Sequence, residues 1–215
     1  MGASVDPLRD RLDSLVGDVV DTLRVANAAR ESALPACRRA VQLAGSSIKA
    51  VHRLKFDEAR SLSGECESML RDAQGALDGQ PGLQHAGFLH DAEKEFVESR
   101  VVIALVSGQP VPSADELEVE AAAWMKGLAE AASEMRRHLL DRLRAGELDR
   151  AEELFALMEE VYDALMVVDF PDALTGGLRR TLDALRAVLE RSRGDLTTTA
   201  VQARLAEAIG RGSGS

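Results

Sequence analysis

Aromatic residues are scarce in this chain, at 3% of 215 residues. That removes the stacking platforms on which single-stranded bases are usually read, and it leaves Ala, Leu and Val to fill the core. Strands favour aromatic and β-branched residues, so the scarcity points to an all-α fold. Cysteine is nearly absent as well. Cys37 and Cys66 are the only two, without metal-ligand spacing, and they read as reduced thiols in a cytoplasmic protein. No run approaches the ~18 apolar residues of a membrane span, and the segment Met1–Pro7 has no apolar signal-peptide core. Gly2 could open a myristoylation signal, but position 6 is Asp rather than Ser or Thr. The expectation is a soluble protein without a membrane partner. Positive charge is short too: the net charge is -10 and the pI about 5.0. A net acidic chain repels a polyanion at long range, which argues against general electrostatic capture of nucleic acid and leaves local basic patches as the route to it. Among the basic residues Arg outnumbers Lys 22 to 4, which suits bidentate contacts.

What is present is apolar content, 46% of residues, patterned at helical spacing. Asp6-Pro7 opens a first helix over 7–30, with Leu8, Leu12, Leu15, Val19, Leu23 and Ala26 on one stripe. Pro35 interrupts or kinks the pattern, which resumes from Ala36 to about Arg53. A helix over 56–77 ends at the Gly79-Gln-Pro-Gly82 break, and another spans 84–107. Ser113-Ala-Asp-Glu116 is a capping box before helices that carry the chain to Ala145, with Gly146 as the residue just past the end. Further helices cover 148–168 and the stretch from about 175–177 to Ser192. The sum is a single-domain bundle of about seven helices over 1–195. The tail 196–215 is expected to be partly disordered, since Gly210–Ser215 has no core-forming residue.

One helix breaks the usual rule that polar and buried faces stay apart. Asp91, Glu95 and Glu98 fall on the same face as Val102 and Leu105, because side chains three, four and seven apart stack on a helix. Carboxylates beside a core are costly unless a cation or hydrogen bonds compensate them. Glu95 and Glu98, one turn apart, can converge on a hard divalent cation, which takes one or two protein carboxylates and keeps several waters. Asp163, at the border of a later apolar face, is a candidate third acid. Spacing alone favours the plainer reading, a solvated or salt-bridged acidic face. Arg38, Lys49, His52 and Arg53 share roughly one side of the second helical stretch and could hold phosphates; a solvated face is again the plain alternative. A di-iron bundle is excluded, since no histidine has a Glu three residues before it. No nucleophile elbow or phosphate-binding Gly-Lys-Ser/Thr loop is present.

The segment Phe170-Pro-Asp-Ala-Leu-Thr-Gly-Gly-Leu-Arg-Arg180, continuing through Asp183 and Leu189–Asp195, resembles the C-terminal signature of the translin family. The likeness is strongest to prokaryotic members related to translin-associated factor X. Ile48-Lys-Ala-Val-His-Arg53 resembles the family's second-helix motif, and Asp91–Val106 its central helix. The resemblance implies protomers that assemble into a hollow homo-oligomer, a hexamer or octamer, able to enclose single-stranded RNA or DNA. It further implies an endoribonuclease site dependent on Mg²⁺ (or Mn²⁺), with Glu95, Glu98 and Asp163 as the matching acids. Translin proper lacks that acidic set and only binds nucleic acid, which is the alternative function. The aromatic and basic residues that translin uses before its central helix are mostly absent, with His85 and His90 the nearest counterparts.

Overall fold

The computed structural model describes residues 6–85 and 87–212. All regular structure there is helical: α1 (Asp6–His52), α2 (Phe56–Ala76), α3 (Pro81–Gln84), α4 (Gly87–Ser107), α5 (Ala114–Leu117), α6 (Ala121–Arg144), α7 (Leu148–Met166), α8 (Asp172–Thr175) and α9 (Leu178–Gly212). Six long helices build the bundle, and three single turns sit in the connections.

The layers follow from which helix faces are apolar. α1 packs on α2 and α4, α4 on α2 and α6, and α6 on α7 and α9. Helix α4 is therefore enclosed by three neighbours, which explains the continuous run Val101–Leu105, all buried. An aromatic-poor core closes with small residues, since Ala40, Ala44, Ala50, Ala59, Ala73, Ala92, Ala129, Ala131 and Ala132 are all fully buried. The few polar groups inside are satisfied: Ser63 and Ser99 share a hydrogen bond of 3.1 Å, and Ser47 donates to the Ala59 carbonyl at 2.8 Å. Both cysteines are free and buried. Burial pushes the Cys37 thiol up to about 11 and the Cys66 thiol up to about 12, so both are inert as nucleophiles.

The helix ends obey the local chemistry. The Glu116 backbone N–H donates to Ser113 Oγ at 3.2 Å, and Ser113 N–H donates back to Glu116 Oε2 at 2.7 Å, a complete capping box. α6 stops in a Schellman motif, with Gly146 at φ +79° and the Glu147 N–H bonded to the Arg142 carbonyl at 2.9 Å.

Three expectations change. Helix α1 runs unbroken through Pro35 for 47 residues. Pro35 is exposed, and so is Glu31, whose carbonyl loses its N–H partner to the ring and faces water instead. Ala33, Cys37 and Ala40 meanwhile anchor the other side of the helix. The last helix continues past Ser192 to Gly212, so residues 210–212 are helical; residues 213–215 lie outside the described residues, as do residues 1–5 with the Gly2 signal. The stripe of α1 from Leu8 to Leu23 covers nothing among the described residues, Leu8 being 62% and Leu23 61% exposed. No helix among the described residues is long and apolar enough to cross a membrane.

Candidate metal centre

Helix α4 carries Glu95 and Glu98 one turn apart, and the face of α6 that packs on it carries Glu130. The close approach depends on Gly127, one turn before Glu130. A Cβ there would lie 2.7 Å from both the Lys94 carbonyl oxygen and Val97 Cβ, so only glycine lets α6 come this near to α4. One ligand oxygen from each of Glu95, Glu98 and Glu130 then lies within 4.8 Å of the other two.

Glu98 is the unusual member. It is 8% exposed and accepts no hydrogen bond from any described residue. Burial, followed by the neighbouring charges of Glu95 and Glu130, pushes its carboxyl up to about 8. No fully occluded polar side-chain atom among the described residues lacks a partner, so the Glu98 oxygens keep solvent access and an approach for a cation. The local counter-charge is Lys94. Its Nζ lies 3.0 Å from Glu95 Oε1 and also contacts Glu130 Oε2. Burial works against this ammonium, but Glu130 and Glu95 outweigh it and hold Lys94 above its usual range. Three carboxylates and one lysine leave net negative charge at a partly enclosed point. That set fits a hard, oxygen-seeking divalent ion such as Mg²⁺ or Mn²⁺.

One turn beyond Glu130, Glu134 extends the acidic row. Its Oε2 lies 2.9 Å from His52 Nε2, at the end of α1, and His52 Nδ1 lies 3.2 Å from His138 Nε2. Burial, then the adjacent His52, pushes His138 down to about 4, so its ring is neutral.

No family model matches the chain. The solved structures of AfC3PO, a translin-family C3PO protein, superimpose on it with a TM-score of 0.79 at 31% identity, covering 88% of this chain and 98% of that one. One of them is a complex of AfC3PO with duplex RNA. The chain belongs to the translin family. NeC3PO shares the fold at a TM-score of 0.73 and 18% identity, covering 93% of this chain and 98% of that one. An uncharacterized protein of Methanocaldococcus jannaschii is 30% identical over 129 residues, which is 60% of this chain and 58% of that protein. The match thus spans under two thirds of that relative's length.

The structure separates the acids that the translin-family resemblance grouped. Asp163 does not join Glu95 and Glu98. It is exposed on α7, off the stripe Ala151, Leu154, Phe155, Met158 and Leu165, on a helix that packs against α6 and α9. The acid that meets the central-helix pair is Glu130. Two sequence features accompany it without fixing which acid of α6 faces α4: Glu130 and Glu134 repeat a one-turn acidic spacing, and Gly127 sits inside the helix, where glycine needs a packing reason.

The basic candidates do not form one site. Arg38 and Lys49 are exposed on α1, Arg53 pairs with Glu58 at 3.3 Å, and His52 turns inward to Glu134 and His138. His90 is held inside the translin-family signature region. Its Nε2 is 3.4 Å from Lys126 Nζ, and burial and Lys126 lower its pKa. Gly176, at φ +58°, packs against it so closely that a Cβ would lie 3.1 Å from His90 Nε2. The glycines of the signature therefore serve a left-handed turn seated on His90.

Proposed function

We propose that this chain is a metal-dependent endoribonuclease whose reaction centre is Glu95, Glu98 and Glu130, working in a homo-oligomer. The observation that carries the reading is Glu98: a buried carboxylate with no hydrogen-bond donor, facing two further carboxylates. Such a group costs stability and persists where a ligand compensates it. That AfC3PO was solved with duplex RNA supports RNA as the polyanion, and the resemblance adds short single-stranded RNA as the strand to be cut.

A bound Mg²⁺ or Mn²⁺ would supply an activated water and stabilise charge on the phosphoryl oxygens. The chain's own part is to hold and release charge. Glu95, Glu98 and Glu130 would hold the ion through their carboxyl oxygens, Glu98 giving up its proton to do so. Lys94, which now pairs with Glu95 and Glu130, would stand beside the held ion and could donate to a phosphate oxygen. The exposed α1 stripe, Leu8, Leu12, Leu15, Val19 and Leu23, is the kind of unpartnered apolar face that subunit packing covers. A hexamer or octamer is the assembly proposed.

The rival reading, a nucleic-acid-binding protein without catalysis, is favoured by Lys94, whose ammonium already occupies the space between Glu95 and Glu130. The test incubates purified protein and Mg²⁺ with labelled single-stranded RNA and, separately, a duplex of the same sequence, alongside Glu98→Gln and Glu130→Gln. Cleavage by the wild type and its loss in both variants is expected. RNA binding without cleavage would establish the rival, and equal cleavage by the variants would remove the acids from the site.

A further inference from the structure

Next to the carboxylate centre, at the junction of α1 and α6, lies a second cluster with different chemistry. His52 Nδ1 and His138 Nε2 face each other at 3.2 Å, with the ring planes tilted by 33°. They line a pocket of about 230 Å³ together with Asp141, Leu54, Arg142, Arg144 and Ala145.

Hydrogen-bond bookkeeping fixes one end of this arrangement. The Glu134 carboxylate can only accept, so the proton at 2.9 Å between it and His52 belongs to His52 Nε2. In the neutral ring this leaves Nδ1 as a lone pair aimed at His138 and the pocket. A carboxylate behind an imidazole, fixing the tautomer and raising the basicity of the free nitrogen, is the usual support of a metal-ligating histidine.

We propose that His52 Nδ1 and His138 Nε2 bind a borderline transition-metal ion of the Zn²⁺ class, with water completing the shell and with Asp141, which lines the same pocket but stands further off than the two rings, swinging in from Arg144 as third ligand. Two nitrogens each ~2.0–2.1 Å from a tetrahedral zinc lie roughly 3.3 Å apart, close to the spacing present here. Asp141 stands one turn from His138 on α6. Its present partner is Arg144, at 3.1 Å, which is 84% exposed, and an exposed pair of that kind is released at little cost. The two sites differ in kind: imidazole nitrogen selects Zn²⁺, Ni²⁺ or Co²⁺, whereas the three glutamates select Mg²⁺ or Mn²⁺. The inference therefore stands whether or not the protein cuts RNA. Its structural consequence is a clasp that ties the end of α1 to the middle of the bundle.

The test uses the full-length, metal-stripped protein with millimolar Mg²⁺ present to fill the carboxylate centre. Zn²⁺ alone is titrated by calorimetry, and Co²⁺ alone is followed by its visible absorption. The expected result is one ion per chain, about tenfold or more weaker in His52→Gln and in His138→Gln and unchanged in Glu98→Gln. Circular dichroism checks the fold. Should the imidazole variants fail to fold, Asp141→Asn decides, because it is at the surface: weakened Zn²⁺ binding with a changed Co²⁺ spectrum is expected. Absence of Zn²⁺ binding, unchanged affinity in the histidine variants or in a folded Asp141→Asn, or loss of the ion in Glu98→Gln would overturn the proposal. The two rings would then be joined by a simple N–H···N hydrogen bond.

Discussion

Glu93 and Glu98 lie five residues apart on α4, both buried, at 3% and 8% exposure, and they end in opposite chemical situations. Glu93 is closed off. Gln74 Nε2 donates to it at 2.9 Å and the Glu120 N–H at 3.4 Å, so the carboxylate ties α4 to α2 and to the start of α6. Burial raises its pKa, and those two donors pull the other way. Glu98 is buried as well, but its neighbours are Glu95 and Glu130, and no donor comes to it. Burial alone therefore does not mark a functional acid. The missing complement of protein donors does, because a largely desolvated carboxyl that no protein donor meets is a standing cost that a ligand can remove.

The contrast can be broken most forcefully at Gly127. In Gly127→Ala the new methyl must displace the Lys94 carbonyl or Val97, both at 2.7 Å. Overpacking of that kind should destabilise the bundle by about 3 kcal/mol and abolish divalent-ion binding. Urea unfolding and calorimetry check this, and an unchanged transition midpoint would show that α4 and α6 do not need the close approach.

A second handle is pH. The Glu98 carboxyl is raised from 4.5 to about 8, so the folded state holds its proton more tightly than the unfolded chain does. The stability this contributes is complete below pH 4.5 and is lost as pH rises through about 8, amounting to a few kcal/mol. His138 slopes the other way: lowered from 6.5 to about 4, it contributes stability that is present above pH 6.5 and lost as pH falls through 4. Subtracting the thermal unfolding profile of Glu98→Gln from that of the metal-free wild type isolates the first slope. Parallel profiles between pH 5 and 8 would mean that Glu98 is ionised and solvated.

Glu93→Ala should cost about 1–3 kcal/mol, since it removes an acceptor shared by Gln74 Nε2, which keeps only the Glu118 carbonyl, and by the Glu120 N–H, while cation affinity stays put. A matching loss of affinity would erase the distinction between the two acids. The smallest effect belongs to Asp163→Asn, which should leave divalent-ion affinity within error of wild type. A clear drop there would return Asp163 to the site.

How far the sequence disclosed this arrangement depended on the range of each interaction. The capping box at Ser113–Glu116, the stop at Gly146 and the all-helical architecture rest on local propensity and were legible. So was the conflict on α4, because the acids and the Val101–Leu105 run share one periodicity. Glu130 was not, since which acid of α6 faces α4 depends on a helix pairing that spacing within α4 does not encode. The α1 stripe Leu8–Leu23 looked like a core stripe because a face awaiting another subunit has the same pattern as a face awaiting a core. Pro35 was read as punctuation, yet with its ring and the freed Glu31 position both at the surface, packing on the opposite side keeps α1 continuous. His52 was read as a phosphate contact, because nothing local shows that it turns inward to Glu134.

The central claim is that Glu98 is a protonated ligand waiting for a cation. It is tested most directly by titrating Mg²⁺ or Mn²⁺ into the metal-free protein at pH 7, by calorimetry in buffers of different ionisation enthalpy. With its carboxyl raised to about 8, Glu98 should release most of a proton per ion bound, and Glu98→Gln should release none and bind far more weakly. Binding without proton release, or equal binding by the variant, would contradict the account.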